Sequence, residues 1–355
     1  MSVIIYAMPD NNHLHNELSD SVNPAYHQKP GKLNSAKEYA DGIQKGNRAF
    51  LSRAITLIES TKNEYRELGY SILEKCYDST GNSIRIGITG VPGVGKSTFI
   101  EKFGTYLIGQ GKKVAVLTID PSSSVTKGSI LGDKTRMETL AVQENAFIRP
   151  TPTAGALGGV AGKTREVILL CEAAGFDTII VETVGVGQSE ISVKTMVDFF
   201  LLLMLAGAGD ELQGIKRGIM ETADLVIINK ADGQNIENAN RARSDYQHAL
   251  SLFPPHPSGW KTPVQTASSI KNYGINEAWE VIKEYYEQVN GSGYFINNRR
   301  EQLVYWLHEA IESELKTRFF SQPNVRKKLA QLENEVLSGS MNPARAASEL
   351  IKLSR

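Results

Sequence analysis

The feature of this sequence that most constrains its fold is a glycine-rich segment of nine residues between an apolar run and a helical pattern. The segment, Gly90-Val-Pro-Gly-Val-Gly-Lys-Ser-Thr98, directly follows the strand-like run 84–89. It matches the pattern G-x-x-x-x-G-K-[ST], in which glycines let backbone N–H groups surround phosphate oxygens and the next helix adds its N-terminal dipole. A strand, a phosphate-binding loop and a helix in this order predict an α/β protein with a P-loop NTPase fold.

The side chains of this loop predict how it holds a nucleotide. Lys96 can reach the β and γ phosphates, and the Ser97 hydroxyl is placed to bind Mg²⁺. The predicted nucleotide-binding residues of the loop are Gly90, Val91, Pro92, Gly93, Val94, Gly95, Lys96, Ser97 and Thr98.

Short apolar runs alternate with amphipathic helical stretches over the middle of the chain. This alternation is typical of a mainly parallel sheet with helices on both faces. The predicted strands are 84–89, 113–119, 178–181, 199–205, 225–229 and 263–266.

The two ends of the chain lack this alternation. Residues 9–34 are polar and aperiodic, 35–77 have helical spacing, and helices are predicted at 299–320, 325–337 and 343–353. The predicted organisation is a flexible polar arm (1–34), an N-terminal helical region (35–80), a P-loop domain (81–292) and a C-terminal helical region (293–355). The apolar stripes of the last region must bury against their own domain or a second subunit, and both remain open.

Composition and charge exclude several classes of protein. The 39 basic and 39 acidic side chains balance, and no basic block is present that would neutralise nucleic-acid phosphates. The two cysteines, Cys76 and Cys171, can supply neither a disulfide framework nor a thiolate metal cage. The N-terminus lacks the pattern of a secretory signal, and the longest apolar run, 199–206, is too short to span a bilayer. We therefore expect a cytoplasmic protein with no nucleic-acid or membrane partner.

Two further segments have the spacing of nucleotide-binding motifs. Glu182-Thr-Val-Gly185 follows a strand and has the D-x-x-G spacing of a GTPase switch, with glutamate in place of aspartate. Its carboxylate would face Mg²⁺, directly or through water, and the Gly185 amide would face the γ-phosphate.

The second segment, Asn229-Lys-Ala-Asp232, ends a later strand. The Asp232 carboxylate can accept both N1–H and N2–H of guanine, whereas adenine offers neither donor, so GTP is preferred over ATP.

Weaker signals complete the candidate site. Ala267-Ser-Ser-Ile270 lies where GTPases place a small-residue loop against guanine, so Ser268, Ser269 and Ile270 are candidates for base contacts. Asp120 ends the second predicted strand, where carboxylates of P-loop proteins gather, although an Asp-Pro pair is also an ordinary way to start a turn. Asp133 is a further candidate carboxylate.

Six motifs together resemble the MeaB/ArgK group of P-loop GTPases, over about residues 45–288. Besides the P-loop and the Asn229–Asp232 motif, they are Asp120-Pro-Ser-Ser, Ser129-Ile-Leu-Gly-Asp-Lys-Thr-Arg-Met137, Glu182-Thr-Val-Gly-Val-Gly-Gln-Ser-Glu190 and Ala206-Gly-Ala-Gly-Asp-Glu-Leu-Gln-Gly-Ile-Lys-Arg-Gly-Ile219. The sequence departs from the common pattern in its His- and Asn-rich N-terminal arm and at Ser123-Ser-Val-Thr, where a glycine-rich stretch is usual.

The resemblance implies a chaperone with GTP and GDP as ligands and Mg²⁺ as cofactor. Such a protein gates adenosylcobalamin delivery to methylmalonyl-CoA mutase, or a related cobalamin-dependent acyl-CoA mutase, and protects or reactivates that enzyme. It also implies a homodimer formed through the C-terminal helices. Slow intrinsic hydrolysis is expected for another reason, because the sequence places no obvious arginine finger in cis. Carried over by motif, Ser97, Asp120, Asp133 and Glu182 would hold or orient Mg²⁺ and the attacking water, with Lys96, Asp120 and Glu182 as catalytic residues. Gln188 and Lys216 would belong to mobile segments that couple nucleotide state to the partner.

Two other functions remain open at this point. A small-molecule kinase or ATPase linked to amino-acid transport would use the same phosphate loop, with Asp120 as a base near the γ-phosphate. A nickel-type metallochaperone GTPase would need His or Cys ligands, and the pair His13 and His15 in the arm is what the sequence offers.

Overall fold

The computed structural model describes residues 33–120, 137–152, 157–183, 189–207 and 217–354. Within these ranges the central element is a seven-stranded sheet in which every pairing is parallel. The strands are β1 (Ile84–Gly90), β2 (Val114–Asp120), β3 (Ala146–Pro152), β4 (Thr178–Thr183), β5 (Phe199–Leu205), β6 (Leu225–Asn229) and β7 (Val264–Thr266).

The strand order places β1, which leads into the phosphate loop, in the middle of the sheet. The order is β3-β2-β4-β1-β5-β6-β7, so β4 and β5 flank β1. Because all strands are parallel, the residues that follow β1, β4 and β6 emerge at the same edge, which is where ligands of such sheets bind. The predicted α/β fold with a mainly parallel sheet is confirmed.

One strand, β3, escaped the sequence prediction. It contains Pro150, Pro152 and Arg149, which interrupt the apolar run expected of a buried strand. Proline is tolerated there because β3 is an edge strand that pairs only with β2 among the described elements. Strand β4 also extends beyond the prediction, so Glu182 and Thr183 lie within the strand and not after it.

Helices cover both faces of the sheet, and the N-terminal helical stretch packs on one of them. In α2 the buried residues Leu51, Ala54, Ile55 and Ile58 recur at helical spacing, and the Asn47 side chain caps the helix. The helices before the sheet are α1 (Ala36–Gln44), α2 (Arg48–Glu59) and α3 (Asn63–Cys76). Those between or after the strands are α4 (Lys96–Gly109), α5 (Glu138–Ala141), α6 (Leu157–Ala173), α7 (Ser189–Lys194), α8 (Arg217–Thr222), α9 (Ile236–Ser251) and α10 (Ile275–Gly291).

Two large apolar cores lie on opposite faces of the sheet, and a third cluster packs on β5, β6 and β7. The first joins the sheet to α1, α2, α3 and α6, and it includes Ile55, Phe147 and Phe200. The second joins the opposite face to α4 and α10, where Phe103 packs against Trp279 with ring centroids 6.3 Å apart. Since α4 starts at the phosphate loop, this second core fixes the direction from which that helix approaches the nucleotide.

The C-terminal helices form their own small cluster beyond the sheet. They are α11 (Tyr294–Ser321), α12 (Pro323–Leu337) and α13 (Pro343–Ile351). Val325, Leu332, Ala346 and Leu350 are buried together there. The long helix α11 also returns to the main core through Trp306.

Neither cysteine is available for metal or disulfide chemistry in this fold. Cys76 and Cys171 are both buried and unbonded to each other. Burial raises the pKa of the Cys76 thiol to about 11 and raises the pKa of Cys171 further, so both stay protonated at neutral pH. Among the described residues, no helix combines the length and apolarity needed to cross a bilayer.

Candidate nucleotide-binding site

The phosphate loop runs from the end of β1 to the start of α4, as the motif predicts. Gly90 closes β1 with φ 157°, and a Cβ built there would lie 2.4 Å from the Leu203 carbonyl oxygen on β5. Only glycine lets the two strands approach this closely. Gly95 then takes φ 92° immediately before α4, so the chain turns and presents the first amides of that helix.

Lys96 lies over the loop that precedes it. Its Nζ donates to the carbonyl oxygens of Gly90 (2.8 Å) and Val91 (3.2 Å). The ammonium group and the N-terminus of α4 thus face the same concave backbone. A helix N-terminus, oriented amides and one ammonium group together favour a phosphate anion at this place.

Glu182 meets Ser97 across the gap between β4 and α4. The Ser97 hydroxyl donates to Glu182 Oε1 over 3.2 Å, and Glu182 is only 8% exposed. In register, Glu182 lies beside Ile88 of β1. Adjacent oxygen ligands of an octahedral Mg²⁺ ion, each about 2.1 Å from it, are about 3 Å apart. The hydroxyl and the carboxylate therefore form an oxygen pair that fits this ion.

Asn229 connects the end of β6 to the phosphate loop. It is 2% exposed, its Nδ2 donates to the Val94 carbonyl oxygen (2.8 Å), and its Oδ1 accepts from the Ser269 hydroxyl (3.2 Å). Three segments that are far apart in sequence are therefore joined through one side chain. The contact also explains why an amide is needed here, because the residue must donate on one side and accept on the other.

Asp232 lies beside Ser268, so two residues that the sequence predicts to contact the base are adjacent. The Ser268 hydroxyl donates to Asp232 Oδ2 at 2.5 Å, and the Ala231 amide donates to the Ala267 carbonyl oxygen at 2.9 Å. Lys230 has a left-handed backbone, φ 59°, and its carbonyl oxygen accepts from the Asn235 side chain. Such a strained conformation is typical of a functional turn. The carboxylate is thus held in place, and because each of its oxygens has two acceptor sites, the two oxygens can together accept from a donor pair such as that of guanine.

Comparison with known proteins agrees with this geometry. Residues 51–324 match the family described as "Methylmalonyl Co-A mutase-associated GTPase MeaB". The chain belongs to the MeaB family. Its sequence is 48% identical over 314 residues to a probable GTPase of Mycobacterium tuberculosis, covering 88% of this chain and 94% of that protein. The resemblance predicted from the six motifs is confirmed.

Two further relatives extend the comparison. The mouse protein "Methylmalonic aciduria type A homolog, mitochondrial" is 44% identical over 321 residues, covering 88% of this chain and 77% of that protein. The crystal structure titled "LAO/AO transport system kinase" superposes with a TM-score of 0.71 at 38% identity, covering 90% of this chain and 98% of that one. The MeaB membership and this superposition confirm the P-loop fold and place the chain among GTPases.

The predicted site residues differ in how far the structure describes them. The phosphate loop, Glu182, Asn229, Lys230, Asp232, Ser268 and Ser269 come together as above, while Thr98 and Ile270 are exposed beside them. Asp120 is the last residue of β2, whose Ile119 lies beside Thr183 of β4. Asp133, Gly185, Gln188 and Lys216 lie outside the described residues, as do His13 and His15. Their roles stay predictions.

Two supporting contacts could not be predicted from any sequence motif. The Thr183 hydroxyl donates to the Thr89 hydroxyl over 2.7 Å, and both are buried. This bond ties the end of β4 to the end of β1 at the residue that follows Glu182. The second is the Asn235 side chain, which holds the Lys230 carbonyl oxygen. An Asn at the start of a helix is so common that its spacing from Asp232 carries no signal by itself.

Proposed function

We propose that this chain is a Mg²⁺-dependent GTPase that acts as a chaperone for a cobalamin-dependent acyl-CoA mutase of the methylmalonyl-CoA mutase type. In this role it gates adenosylcobalamin delivery to the mutase and protects or reactivates it. The observation that carries the proposal is the joining of the phosphate loop to a carboxylate at Ser97–Glu182 and to the base-reading turn at Asn229. Membership of the MeaB family and the name of the mouse relative support the choice of partner.

In the proposed reaction, the chain's residues bind and orient the triphosphate. The loop amides and Lys96 hold the β and γ phosphates, which carries most of the binding energy. Ser97 and Glu182, together with Asp120 and Asp133, hold Mg²⁺, which would neutralise charge on the phosphate oxygens. Glu182 also orients the attacking water, because it lies at the strand end closest to the Ser97 hydroxyl. GTP hydrolysis then controls when adenosylcobalamin is delivered to the mutase.

Substitution of Lys96 and Glu182 separates binding from hydrolysis. Lys96→Ala is expected to weaken GTP affinity about a hundredfold, because charge-assisted hydrogen bonds to phosphate are lost, roughly 1.5–3 kcal/mol for each bond. Lys102→Ala on the same helix is the matched control. Glu182→Ala is expected to leave nucleotide affinity within a fewfold of wild type and to cut hydrolysis. Unchanged hydrolysis in Glu182→Ala contradicts its assigned role.

Nucleotide and metal preference test the two ligands of the proposal. We expect GTP and GDP to bind much more tightly than ATP, since Asp232 finds its two donors on guanine alone. Equal affinity for ATP removes the basis of that argument. Hydrolysis should stop in excess EDTA and return on addition of Mg²⁺, and hydrolysis that persists without a divalent ion contradicts the metal's role.

The proposed partner is tested by co-purification. A tagged form of this chain is mixed with a cobalamin-dependent acyl-CoA mutase in the presence of GDP or of a non-hydrolysable GTP analogue. A complex whose stability depends on the nucleotide supports the chaperone role. Absence of any complex in both states, with GTP hydrolysis intact, leaves a GTPase and overturns the mutase partner.

We further propose a homodimer built on the exposed face of α11. Val304, Leu307, Ile311 and Leu315 recur every three or four residues and are 46–62% exposed, so they form one apolar stripe along a 28-residue helix. Such spacing suits packing of two identical helices. The wild type should elute at twice the 39.0 kDa chain mass, and Leu307→Glu should elute as a monomer. Val142→Glu, at a site 84% exposed elsewhere, is the control and should stay dimeric.

One alternative function has a specific observation in its favour. The superposed crystal structure is titled a transport system kinase, and a kinase would use the same phosphate loop. Incubation of the pure protein with labelled GTP or ATP and arginine separates the two. Phosphoryl transfer faster than hydrolysis favours the kinase, and hydrolysis alone favours the GTPase.

A nickel-type metallochaperone is tested by truncation. Deletion of residues 1–30, which carry His13 and His15, would abolish the function of a nickel metallochaperone and leave that of a mutase chaperone intact.

A further inference from the structure

The four residues between α7 and β5, numbers 195–198, are held from outside the sheet by the long helix α11. The Trp306 indole N–H donates to the Thr195 carbonyl oxygen over 2.9 Å, and the Gln302 amide donates to the Val197 carbonyl oxygen over 2.8 Å. Helix α7 is the next described element after β4, the strand that carries Glu182. A helix of the C-terminal region therefore fixes the backbone that follows the predicted switch.

Trp306 is itself immobilised by the rigid part of the domain. The guanidinium groups of Arg85 on β1 and Arg165 on α6 each lie 5.5 Å from its ring, and both arginines are 4% exposed. Arg85 forms two hydrogen bonds with Glu172 of α6, of 2.8 and 3.0 Å. Cation–π contacts on buried guanidinium groups hold the indole plane strongly. The N–H that reaches Thr195 is thus a fixed donor.

The end of α7 has a second anchor, an ion pair with Asp224. Lys194 Nζ lies 2.6 Å from Asp224 Oδ2, and the side chain of Asp224 is 1% exposed. Asp224 Oδ2 also accepts from the Phe200 amide, so the carboxylate is tied to β5. The position of α7 is consequently set by an ion pair at Lys194 and by a hydrogen bond at the next residue, Thr195.

We propose that Trp306 and Gln302 are positioning residues for GTP hydrolysis, and that the Thr195 carbonyl transmits nucleotide state from α7 to α11. The inference rests on the proposed GTPase function. Neither side chain belongs to the phosphate loop or to the Asn229–Asp232 turn; both act through the backbone 195–198 on α7, the next described element after β4. The face of α11 that makes these contacts is almost opposite to the apolar stripe of Val304 and Leu307, since successive helical residues are about 100° apart. A shift of α7 would therefore change the hydrogen bond between Thr195 and Trp306, on a helix whose other face is exposed.

Trp306→Phe tests the indole donor with little loss of packing. The ring and its arginine contacts remain, but the bond to Thr195 is lost. The expected result is a fall in kcat of about fivefold with KM within twofold, the size of one neutral hydrogen bond. Gln302→Met, which keeps the volume and removes the amide, should act in the same direction. Gln288→Met on α10, which removes an amide donor to the Ser258 carbonyl oxygen, is the control and should match wild type.

A spectroscopic measurement tests transmission independently of turnover. The chain has three tryptophans, so protein grown with 5-fluorotryptophan should show three ¹⁹F resonances, assigned with Trp306→Phe and Trp279→Phe. The Trp306 resonance is expected to differ between the GDP form and the form bound to a non-hydrolysable GTP analogue, and to differ more than that of Trp279. A Trp306 resonance that is identical in both forms overturns the inference.

The outcomes separate this inference from the function on which it rests. Wild type that hydrolyses GTP, with kcat unchanged in both Trp306→Phe and Gln302→Met, overturns the positioning role and leaves the GTPase intact. Wild type that binds nucleotide without hydrolysing it overturns the proposed reaction, while the ¹⁹F comparison still decides whether α7 communicates with α11. A loss of kcat accompanied by an equal fall in the folded fraction, measured by thermal unfolding, also counts against a positioning role.

Discussion

Replacement of Arg299 by lysine is expected to destabilise the protein strongly although the charge is kept. Arg299 lies in the first turns of α11, and its guanidinium binds both oxygens of Asp198, at 2.8 and 2.7 Å. It also donates to the carbonyl oxygens of Gly81 (2.5 Å) and Ser83 (2.6 Å), just before β1. One planar group thus joins the C-terminal helix to two segments of the sheet domain.

The magnitude follows from the number of bonds that an ammonium group cannot reproduce. Lysine offers a single point donor, so about two of the four bonds made by Arg299 are lost, and the Asp198 side chain is 1% exposed. At about 1.5 kcal/mol for each bond to a charged group, the cost is about 3 kcal/mol. This agrees with the lower end of about 3–5 kcal/mol for breaking a buried ion pair. At about 2.1 cal/mol/K of unfolding entropy per residue, the midpoint of thermal unfolding of this 355-residue chain should fall by roughly 4 °C.

Urea unfolding followed by circular dichroism measures this change. Urea is preferred because guanidinium chloride would screen the ion pair. The matched control is Arg300→Lys, the exposed neighbour on the same helix, which should lie within about 0.5 kcal/mol of wild type. If Arg299→Lys is as stable as Arg300→Lys, the fork geometry does not anchor α11, and the reasoning is refuted.

Three further predictions concern the base, the loop and pH. Asp232→Asn should weaken GTP binding, measured by calorimetry, by at least about tenfold, because an amide cannot accept from both guanine donors. The control Asp245→Asn on α9 should bind GTP as the wild type does. Equal GTP affinity of Asp232→Asn and wild type refutes the base-reading role. Gly90→Ala should abolish nucleotide binding and lower the unfolding temperature, because its Cβ would collide with the Leu203 carbonyl oxygen. The control Gly109→Ala has open space around it and should leave both nucleotide affinity and unfolding temperature unchanged. Burial raises the pKa of Glu166 to about 7 from 4.5, so ionising it costs the fold stability as pH rises through that interval. Glu166→Gln should therefore raise the free energy of unfolding at pH 8 by up to about 3 kcal/mol and leave it unchanged at pH 4, and an equal effect at both pH values would contradict this cause.

The parts of the site that the sequence predicted are those built from contiguous residues. The phosphate loop needs glycines, a lysine and a serine at fixed spacing, and Gly90 and Gly95 have the strand-end and turn conformations that the motif implies. The Asn229–Asp232 turn is equally local. Patterns of this kind survive in the sequence because the residues that cooperate are neighbours along the chain.

The parts that the prediction missed depend on neighbours in space. Edge strand β3 looked unlike a strand, because its prolines are tolerated only where no second strand must pair. Glu182 was expected after β4 but lies within it, since pairing with β1 extends the strand to Glu182 and pairing with β2 extends it to Thr183. No local pattern distinguishes the hydroxyl pair of Thr89 and Thr183, which only the strand order brings together.

The sequence by itself determined the α/β class, the nucleotide-binding motifs and the family, because hydrophobic periodicity and loop chemistry act over a few residues. Only the tertiary structure decided how α11 meets the domain. Trp306 reaches Thr195 across 111 residues of chain, and Arg299 reaches Asp198 across 101. Hydrogen bonds between residues so far apart in sequence form only after the sheet has placed both partners. No rule based on sequence spacing could therefore have predicted them. The coupling proposed between α7 and α11 therefore belongs to the fold and to no motif.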